Sequence, residues 1–324
     1  MKVLIIGGAG MIGRKLAERL AKDGAVAGKA ISKLTLYDVV PAAAPAGAKV
    51  PVSIATGDLP APDEAAKLLA DKPDVVFHLA AIVSGEAEQD FDKGYRINMD
   101  GTRGLLEAAR KAGHKPRLVF ASSIAVFGAP FPEAIGDEFF NTPLTSYGTQ
   151  KNICELLISD YSRKGFVDGI SIRLPTICVR PGKPNKAASG FFSNIMREPL
   201  AGAVAVLPVS EGVMHWHASP RAAVGFMQHA AGIDLAKVGP RRAVTMPGLA
   251  VTVGEQIAAL RKVAGDKVVA RIRREPDPFI EAIVAGWPRN FAPKRALALG
   301  FKADASFEEI IRIQIEDELG GKIA

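Results

Sequence analysis

Short apolar runs alternate along the first half of this chain with stretches of helical spacing. Runs typical of buried strands precede Gly7 and recur at residues 33–38, 50–55, 74–79, 117–121 and 169–173. Apolar residues repeat at helical spacing in the segment after Gly13 and in residues 63–71, 87–112 and 147–164. Because strands and helices alternate, the sequence predicts an α/β fold with a doubly wound parallel sheet covered by helices on both faces.

The first strand leads directly into a glycine-rich turn. Gly7, Gly10 and Gly13 are spaced as Gly7-x-x-Gly10-x-x-Gly13, and a helical pattern begins within the motif. A tight turn, close approach of the backbone to a pyrophosphate and close packing of helix on strand all require residues without a side chain. The free N–H groups of Met11 and Ile12, at the start of the helix, would face the phosphates. This arrangement predicts a dinucleotide-binding site of the Rossmann type.

Asp38 ends the second predicted strand and is a candidate for the adenosine ribose. A carboxylate in that place accepts hydrogen bonds from both ribose hydroxyls and repels a 2′-phosphate, so we expect NAD and not NADP. Asp38 lies further from the glycines than the usual ~20 residues, and residues 24–32 indicate a short insertion. A solvated acid at the end of a strand is the alternative.

The sequence pattern changes after about residue 175. Pro and Gly cluster at residues 175–184, and helix starts are indicated at Ser219, at Thr252-x-x-Glu255 and at Ser306-x-x-Glu309. We therefore expect an NAD-binding Rossmann domain in residues 1–175. Residues 176–324 are expected to form a smaller, mostly helical substrate-binding lobe that is interleaved with the first domain.

Tyr147 and Lys151 are candidate catalytic residues, together with Ser123 upstream. On a helix, their spacing of four places a phenol and an ammonium on one face, one turn apart. A free tyrosine has a pKa of about 10, and a nearby cation favours its phenolate. The three residues are thus expected to act as a proton acceptor beside a hydroxyl that orients a substrate alcohol.

Composition limits the class of protein further. The chain has 324 residues, 48% hydrophobic content and a net charge of +7 without a long basic block, so we expect no nucleic-acid partner. Positive charge suits an anionic small-molecule substrate. The two cysteines indicate a reducing, cytoplasmic location, and we expect no signal peptide and no membrane-spanning segment. His215 and His217 lack a third ligand at metal spacing, so no metal is expected.

Several motifs together resemble the extended short-chain dehydrogenase/reductases, a family of NAD-dependent epimerases and dehydratases. The resemblance covers nearly the whole chain, and the motifs occur in the family's order. They are Gly7-x-x-Gly10-x-x-Gly13, Gly57-Asp58, His78-Leu-Ala-Ala81, Asn98-Met-Asp-Gly-Thr102, Ser122-Ser-Ile-Ala-Val-Phe-Gly128 and Tyr147-x-x-x-Lys151.

The resemblance implies roles for these residues. Tyr147 would be the catalytic acid/base, Lys151 would lower its pKa and bond the nicotinamide ribose, and Ser123 would hold the reacting oxygen. Asn98 would support the site. Further residues expected to contact NAD are Asp58 and Leu59 at the adenine, Leu79, Ala80 and Ala81 along the middle of the cofactor, and Ser122, Pro175 and Thr176 near its reactive end. The family also implies a homodimer formed by helices near residues 89–112 and 147–164.

One departure from the family changes the expected substrate. Nucleotide-sugar enzymes usually have an asparagine at the position of Thr176, and here a cationic loop from Arg180 to Lys186 follows. Residues 160–169 and 180–189 resemble one subgroup, the D-erythronate dehydrogenases, which oxidise a four-carbon sugar acid at C2 with NAD to the 2-oxo acid. A nucleotide-sugar epimerase or dehydratase and a non-catalytic NAD-binding sensor remain alternatives.

A short hydroxy acid needs a cation for its carboxylate, because burying an unpaired carboxylate is costly. Arg180 is the first candidate, since a guanidinium can bind a carboxylate through two parallel hydrogen bonds. Lys183 and Asn185 could assist, although any residue of a basic loop could equally be solvated. Ser84 and Thr176 could bond substrate hydroxyls, while Ser84 could instead form a turn with Gly85. Ser123 and Tyr147 complete the expected substrate contacts.

Overall fold

The computed structural model describes residues 1–182 and 189–324. Its centre is a seven-stranded parallel sheet with the order β13-β9-β7-β6-β1-β4-β5. These strands are β1 (Lys2–Ile6), β4 (Lys33–Asp38), β5 (Val52–Thr56), β6 (Val75–His78), β7 (Arg117–Ser123), β9 (Asp168–Leu174) and β13 (Ala243–Thr245). The predicted fold class is therefore confirmed.

Helices cover both faces of this sheet. On one face, α1 (Met11–Asp23) and α8 (Pro220–Gly232) pack together over Ile5, Phe77 and Ile170, which are fully buried. The other face is covered by α2 (Glu64–Leu69), α5 (Gly101–Ala112) and α6 (Ser146–Arg163). Burial on both faces explains why β1 and β6 consist of continuous apolar runs and do not alternate.

A second apolar core lies in the C-terminal half of the chain. It gathers residues between Cys178 and Ile315 around α7 (Gly190–Leu200), α10 (Val253–Ala264) and α14 (Phe307–Leu319). Smaller helices are α9 (Leu235–Val238), α11 (Asp266–Val269), α12 (Pro278–Ala285) and α13 (Lys294–Ala298). Small sheets are formed by β10 (Thr176–Ile177), β12 (Met214–Ala218) and β14 (Leu249–Thr252), by β11 (Ala205–Leu207) and β15 (Ile272–Arg274), and by β8 (Ile135–Gly136) and β16 (Phe291–Ala292).

The chain does not divide into two contiguous pieces at residue 175. Helix α8 and strand β13 follow that point, yet α8 covers the central sheet and β13 adds its seventh strand. Phe301 also packs into the core under the sheet. The lobe is thus built from segments that alternate with parts of the sheet domain.

Local sequence signals account for several of the element boundaries. The side chains of Ser219, Thr252 and Ser306 each accept a hydrogen bond at the start of a helix, and Thr252 forms a full capping box with Glu255. Residues 24–32 form a hairpin between β2 (Ala25–Val26) and β3 (Lys29–Ala30), as expected of an insertion.

The predicted helix over residues 87–112 is wrong in detail. The structure has α3 (Ser84–Gln89), α4 (Phe91–Gly94), a π-helical segment at Tyr95–Asp100 and then α5. Apolar spacing could not reveal the wider turn, because a π segment shifts the helical phase by a single residue. In the described part of the chain, no helix is long and apolar enough to cross a membrane.

Candidate active site

The glycine turn at the end of β1 is shaped for close backbone approach. Gly7 has φ of 92°, and a Cβ there would lie 2.6 Å from the Ala80 nitrogen. A Cβ on Gly13 would lie 2.0 Å from the Gly7 carbonyl oxygen, so α1 can pack on the turn only without a side chain. Gly10 precedes α1, and no side chain caps the N–H groups of Met11 and Ile12. The turn therefore fits the pyrophosphate of a dinucleotide.

Asp38 stands at the end of β4, beside this turn. Its carboxylate accepts hydrogen bonds from the backbone nitrogens of Ala9 (2.9 Å) and Val39 (2.7 Å). These bonds hold the carboxylate against the glycine turn, where a ribose would follow the pyrophosphate. Asp58, predicted near the adenine, is half exposed and pairs with Arg96 at 2.7 Å, while its neighbour Leu59 is buried.

The segment after β6 runs along the same edge of the sheet. The nitrogens of Leu79 and Ala80 both donate to the Ile6 carbonyl, at 2.8 and 3.1 Å, which holds residues 79–81 next to the glycine turn. Asn98 is buried in the π-helical segment, exchanges hydrogen bonds with the Ile82 backbone and donates to Gln150 at 2.7 Å. Asn98 thus connects residues 79–82 to the helix that carries Tyr147.

Ser123, Tyr147 and Lys151 meet at the carboxyl end of β7. Ser123 ends that strand, and Thr145 caps α6 two residues before Tyr147. The Lys151 ammonium is buried, donates to the Ala121 carbonyl at 2.8 Å and lies 5.7 Å from the centre of the Tyr147 ring. The structure therefore brings the three predicted catalytic residues together.

The charge balance of these groups differs from the expectation. In the chain alone, burial raises the pKa of Tyr147, while the Ser123 hydroxyl and the charge of Arg180 act to lower it. Burial also lowers the pKa of Lys151 to about 8, against the opposing charges of Cys154 and Glu155. The predicted lowering of the Tyr147 pKa by Lys151 is thus not seen, because desolvation of the phenolate is the largest effect.

A buried ion pair beneath the site was not found from the sequence. Glu155, one turn after Lys151, receives hydrogen bonds from Arg173 at 2.8 to 3.2 Å and from the Ser122 hydroxyl at 2.5 Å. The hydroxyl proton of Ser122 is therefore committed to Glu155, and its side chain is buried. The i, i+4 spacing of Lys151 and Glu155 on one helix face was the signal that could have indicated this residue.

The residues after β9 form the other wall of the site. Pro175 is buried, and the Thr176 hydroxyl lies 2.7 Å from Nε2 of the buried His215. Arg180 is close enough for its charge to affect the pKa of both Tyr147 and His215. Its guanidinium donates to the Ile177 carbonyl and to Ser189, at 3.1 Å each.

Other predicted substrate residues have different outcomes. Ser84 is half-buried at the start of α3, a helix joined to the start of α6 by a 2.9 Å bond from the Ser146 nitrogen to Glu88. Lys183 and Asn185 lie outside the described residues. Within residues 1–182 and 189–324, no group of three or more His, Cys, Asp or Glu side chains could hold a metal ion.

A doubly wound sheet with a glycine turn, and with Ser123, Tyr147 and Lys151 at its carboxyl edge, defines a short-chain dehydrogenase/reductase. The chain belongs to the NAD dependent epimerase/dehydratase family, whose sequence profile matches residues 3–216. This membership confirms both the predicted family and the predicted cofactor, NAD.

Similarity extends well beyond the family profile. The chain is 50% identical to the D-erythronate dehydrogenase of Cupriavidus necator, with 98% of each chain covered. It is 46% identical to the D-erythronate dehydrogenase of Haemophilus influenzae, over 98% of this chain and all of that one. The predicted enzyme class, an NAD-dependent dehydrogenase acting on a CH–OH group, is thereby confirmed.

A solved structure has the same fold in detail. The structure described as the nucleoside-diphosphate-sugar epimerase from Agrobacterium tumefaciens superposes with a TM-score of 0.97 and is 66% identical. The alignment covers 100% of this chain and 96% of that one. The names of the similar proteins thus include both a sugar-acid dehydrogenase and a nucleotide-sugar epimerase.

Proposed function

We propose that this protein oxidises D-erythronate to 2-dehydro-D-erythronate with NAD. The observation that carries the proposal is the near-complete coverage by two D-erythronate dehydrogenases at 50% and 46% identity. The site supports it, because Arg180 supplies a cation whose charge reaches the catalytic phenol. In a 2-hydroxy acid the carboxylate is bonded to the carbon that carries the reacting hydroxyl, so we infer that Arg180 binds the carboxylate while Tyr147 meets the C2 hydroxyl.

Each side chain has a distinct part in this proposal. Tyr147 takes the proton of the C2 hydroxyl, Ser123 hydrogen-bonds the same oxygen and orients it, and Arg180 holds the carboxylate. Lys151, fixed by the Ala121 carbonyl, keeps a positive charge beside the phenol. The cofactor, when bound by the glycine turn and Asp38, supplies the ring that accepts hydride and a positive charge that favours phenolate.

A nucleotide-sugar epimerase is the second candidate function. It is favoured by the description of the 66% identical Agrobacterium structure. Against it stands Thr176, whose hydroxyl is engaged by His215 where the family's nucleotide-sugar enzymes carry an asparagine. The two functions require different substrates, so direct assays can separate them.

The decisive experiment measures NADH production from a panel of substrates. Four- and five-carbon aldonic acids are compared with UDP-glucose and UDP-galactose, and epimerisation of the UDP sugars is followed separately. We expect NADH from D-erythronate only, or from close stereoisomers at lower kcat/KM. Epimerisation without NADH release would refute the proposal.

The role of Arg180 can be tested in the same assay. Arg180→Gln is expected to raise KM for D-erythronate by about tenfold or more, because a charge-assisted bidentate pair contributes about 1.5–3 kcal/mol. Arg274→Gln provides a matched control, since Arg274 pairs with Glu211 and is half exposed in the lobe. An unchanged KM in the Arg180 variant would exclude this residue as the carboxylate contact.

We also propose that the protein is a cytoplasmic homodimer. Leu156 on α6 is 64% exposed, and the groove beside it is lined by further α6 residues and by Pro240. An exposed leucine on a helix that the family uses for pairing supports this interface. Light scattering of Leu156→Glu against the unchanged protein tests the dimer, and a dimeric Leu156→Glu protein would contradict this interface.

The free thiols of Cys154 and Cys178 are consistent with the proposed reducing compartment.

A further inference from the structure

His215 is a buried side chain that the proposed reaction leaves without a role. It lies on β12 with 3% of its surface exposed and is parallel to the ring of Phe192, with centroids 5.2 Å apart. Trp287 also packs against it, with ring centroids 5.4 Å apart. These aromatic neighbours fix the orientation of the imidazole ring.

One edge of this imidazole faces Thr176. Nε2 of His215 lies 2.7 Å from the Thr176 hydroxyl, and Thr176 is only partly buried. Strand β10, which begins at Thr176, follows β9 at the carboxyl edge of the central sheet, where ligands of such folds bind. Thr176 thus belongs to the same segment as Arg180, the residue proposed to bind the substrate carboxylate.

The direction of this hydrogen bond decides what Thr176 can offer a substrate. Burial lowers the pKa of His215 to about 4, so its ring is neutral at neutral pH. The Pro288 backbone acts to raise the pKa of His215, and Nδ1 is the ring nitrogen that does not contact Thr176, so we assign the single ring proton to Nδ1. Nε2 is then the acceptor, and the Thr176 hydroxyl donates to it.

We propose that His215 is a positioning residue that turns the Thr176 hydroxyl into an acceptor for the C3 hydroxyl of the substrate. With its own proton committed to Nε2, the Thr176 oxygen presents lone pairs to the site. The pair would thereby select polyhydroxy acids over acids that lack a hydroxyl at C3. This inference rests on the proposed oxidation of a tetronate and specifies which hydroxyl is recognised.

The test compares two substrates that differ in that one hydroxyl. D-Erythronate and 2,4-dihydroxybutanoate of the same C2 configuration are assayed by NADH production with the unchanged enzyme and four variants. The variants are Thr176→Val, Thr176→Ser, His215→Phe and His215→Gln. Valine matches threonine in shape without the hydroxyl, serine retains the hydroxyl, and glutamine retains an acceptor that phenylalanine lacks.

The unchanged enzyme is expected to prefer D-erythronate by about tenfold or more in kcat/KM, because a lost partner leaves the threonine oxygen unsatisfied. Thr176→Val and His215→Phe should each reduce this preference to within about threefold. Thr176→Ser should retain most of it, and His215→Gln should retain more than His215→Phe. Because the measure is a ratio within one protein, loss of folded enzyme does not imitate the result.

Two results would overturn the inference. One is an unchanged ratio in both Thr176→Val and His215→Phe, and the other is equal use of the two acids by the unchanged enzyme. Either leaves the proposed function intact as long as D-erythronate yields NADH. If the unchanged enzyme produces NADH from neither acid while binding NAD, the proposed function fails and this inference fails with it.

Discussion

Replacing Arg173 with leucine should destabilise the protein strongly. The side chain of Arg173 is 11% exposed and that of Glu155 is 3% exposed. Three hydrogen bonds of 2.8 to 3.2 Å join the guanidinium to the carboxylate. Removing the arginine leaves a buried carboxylate whose remaining partners are the Ser122 hydroxyl at 2.5 Å and Asn141 at 3.4 Å. A buried carboxylate that has lost its arginine partner in this way costs about 3–5 kcal/mol.

Replacing both partners should be far less harmful than the two single changes suggest. Glu155→Leu leaves Arg173 over the ring of Phe127, at 4.9 Å, which offers partial compensation, so we expect a smaller loss than in Arg173→Leu. The double variant removes both charges and fills the space with apolar atoms, which is often close to neutral. We therefore expect a coupling energy of at least about 2 kcal/mol between the two residues.

The assay is urea unfolding followed by circular dichroism, without added NAD, for all four proteins of this cycle. Arg163→Leu serves as a control, because its ion pair with Asp160 is exposed and should contribute less than about 1 kcal/mol. Single losses that add to the double loss within about 0.5 kcal/mol would refute the reasoning. Such a result would also mean that the ion pair does not stabilise the end of β7, which carries Ser123.

Four further predictions concern the catalytic and cofactor residues. Tyr147→Phe should retain NAD binding, measured by fluorescence titration, while kcat falls by about 10²–10⁴-fold; retained turnover would contradict its role as the base. Gly13→Ala should weaken NAD binding and lower the melting temperature, because its Cβ would lie 2.0 Å from the Gly7 carbonyl oxygen. Gly104→Ala, inside α5 and with open space around it, should leave NAD binding unchanged and should not lower the melting temperature, because alanine favours a helix more than glycine does. Asp38→Ser should raise the ratio of NADP to NAD use in kcat/KM, and an unchanged ratio would remove Asp38 from the ribose site. Burial lowers the pKa of Lys151 from 10.5 to about 8, so between these pH values the unfolded chain binds more protons than the folded one. The free energy of unfolding should therefore rise by up to about 3 kcal/mol from pH 8 to 10.5, measured by urea unfolding at each pH. Lys151→Met should lose this pH dependence.

The parts of the structure that the sequence predicted well are those with a local physical cause. The turn at Gly7 and Gly13 admits no side chain, and caps such as Thr252 satisfy free N–H groups at a helix start. Continuous apolar runs likewise indicate parallel strands that are buried on both faces. Each of these causes acts within a few residues, so it can be recognised before any tertiary contact is known.

What the sequence did not predict depends on contacts between distant segments. Thr176 and His215 are 39 positions apart, and nothing near either residue indicates that the two side chains meet. The pKa of Tyr147 is likewise raised because several elements bury its side chain. This effect is larger than that of the nearby Lys151, which the sequence spacing had indicated. The return of β13 to the sheet after residue 242 has the same origin, because strand order is a property of the assembled sheet.

The interleaved order of the chain has a consequence for its synthesis on the ribosome. Strand β13 and Phe301 complete the sheet and its core, yet they are translated long after the glycine turn. The nascent N-terminal half would therefore emerge with an open sheet edge at β9 and an uncovered apolar face. Such surfaces are the ones that chaperones bind and that promote aggregation, so premature termination before residue 301 should give an insoluble fragment and no free-standing nucleotide-binding domain.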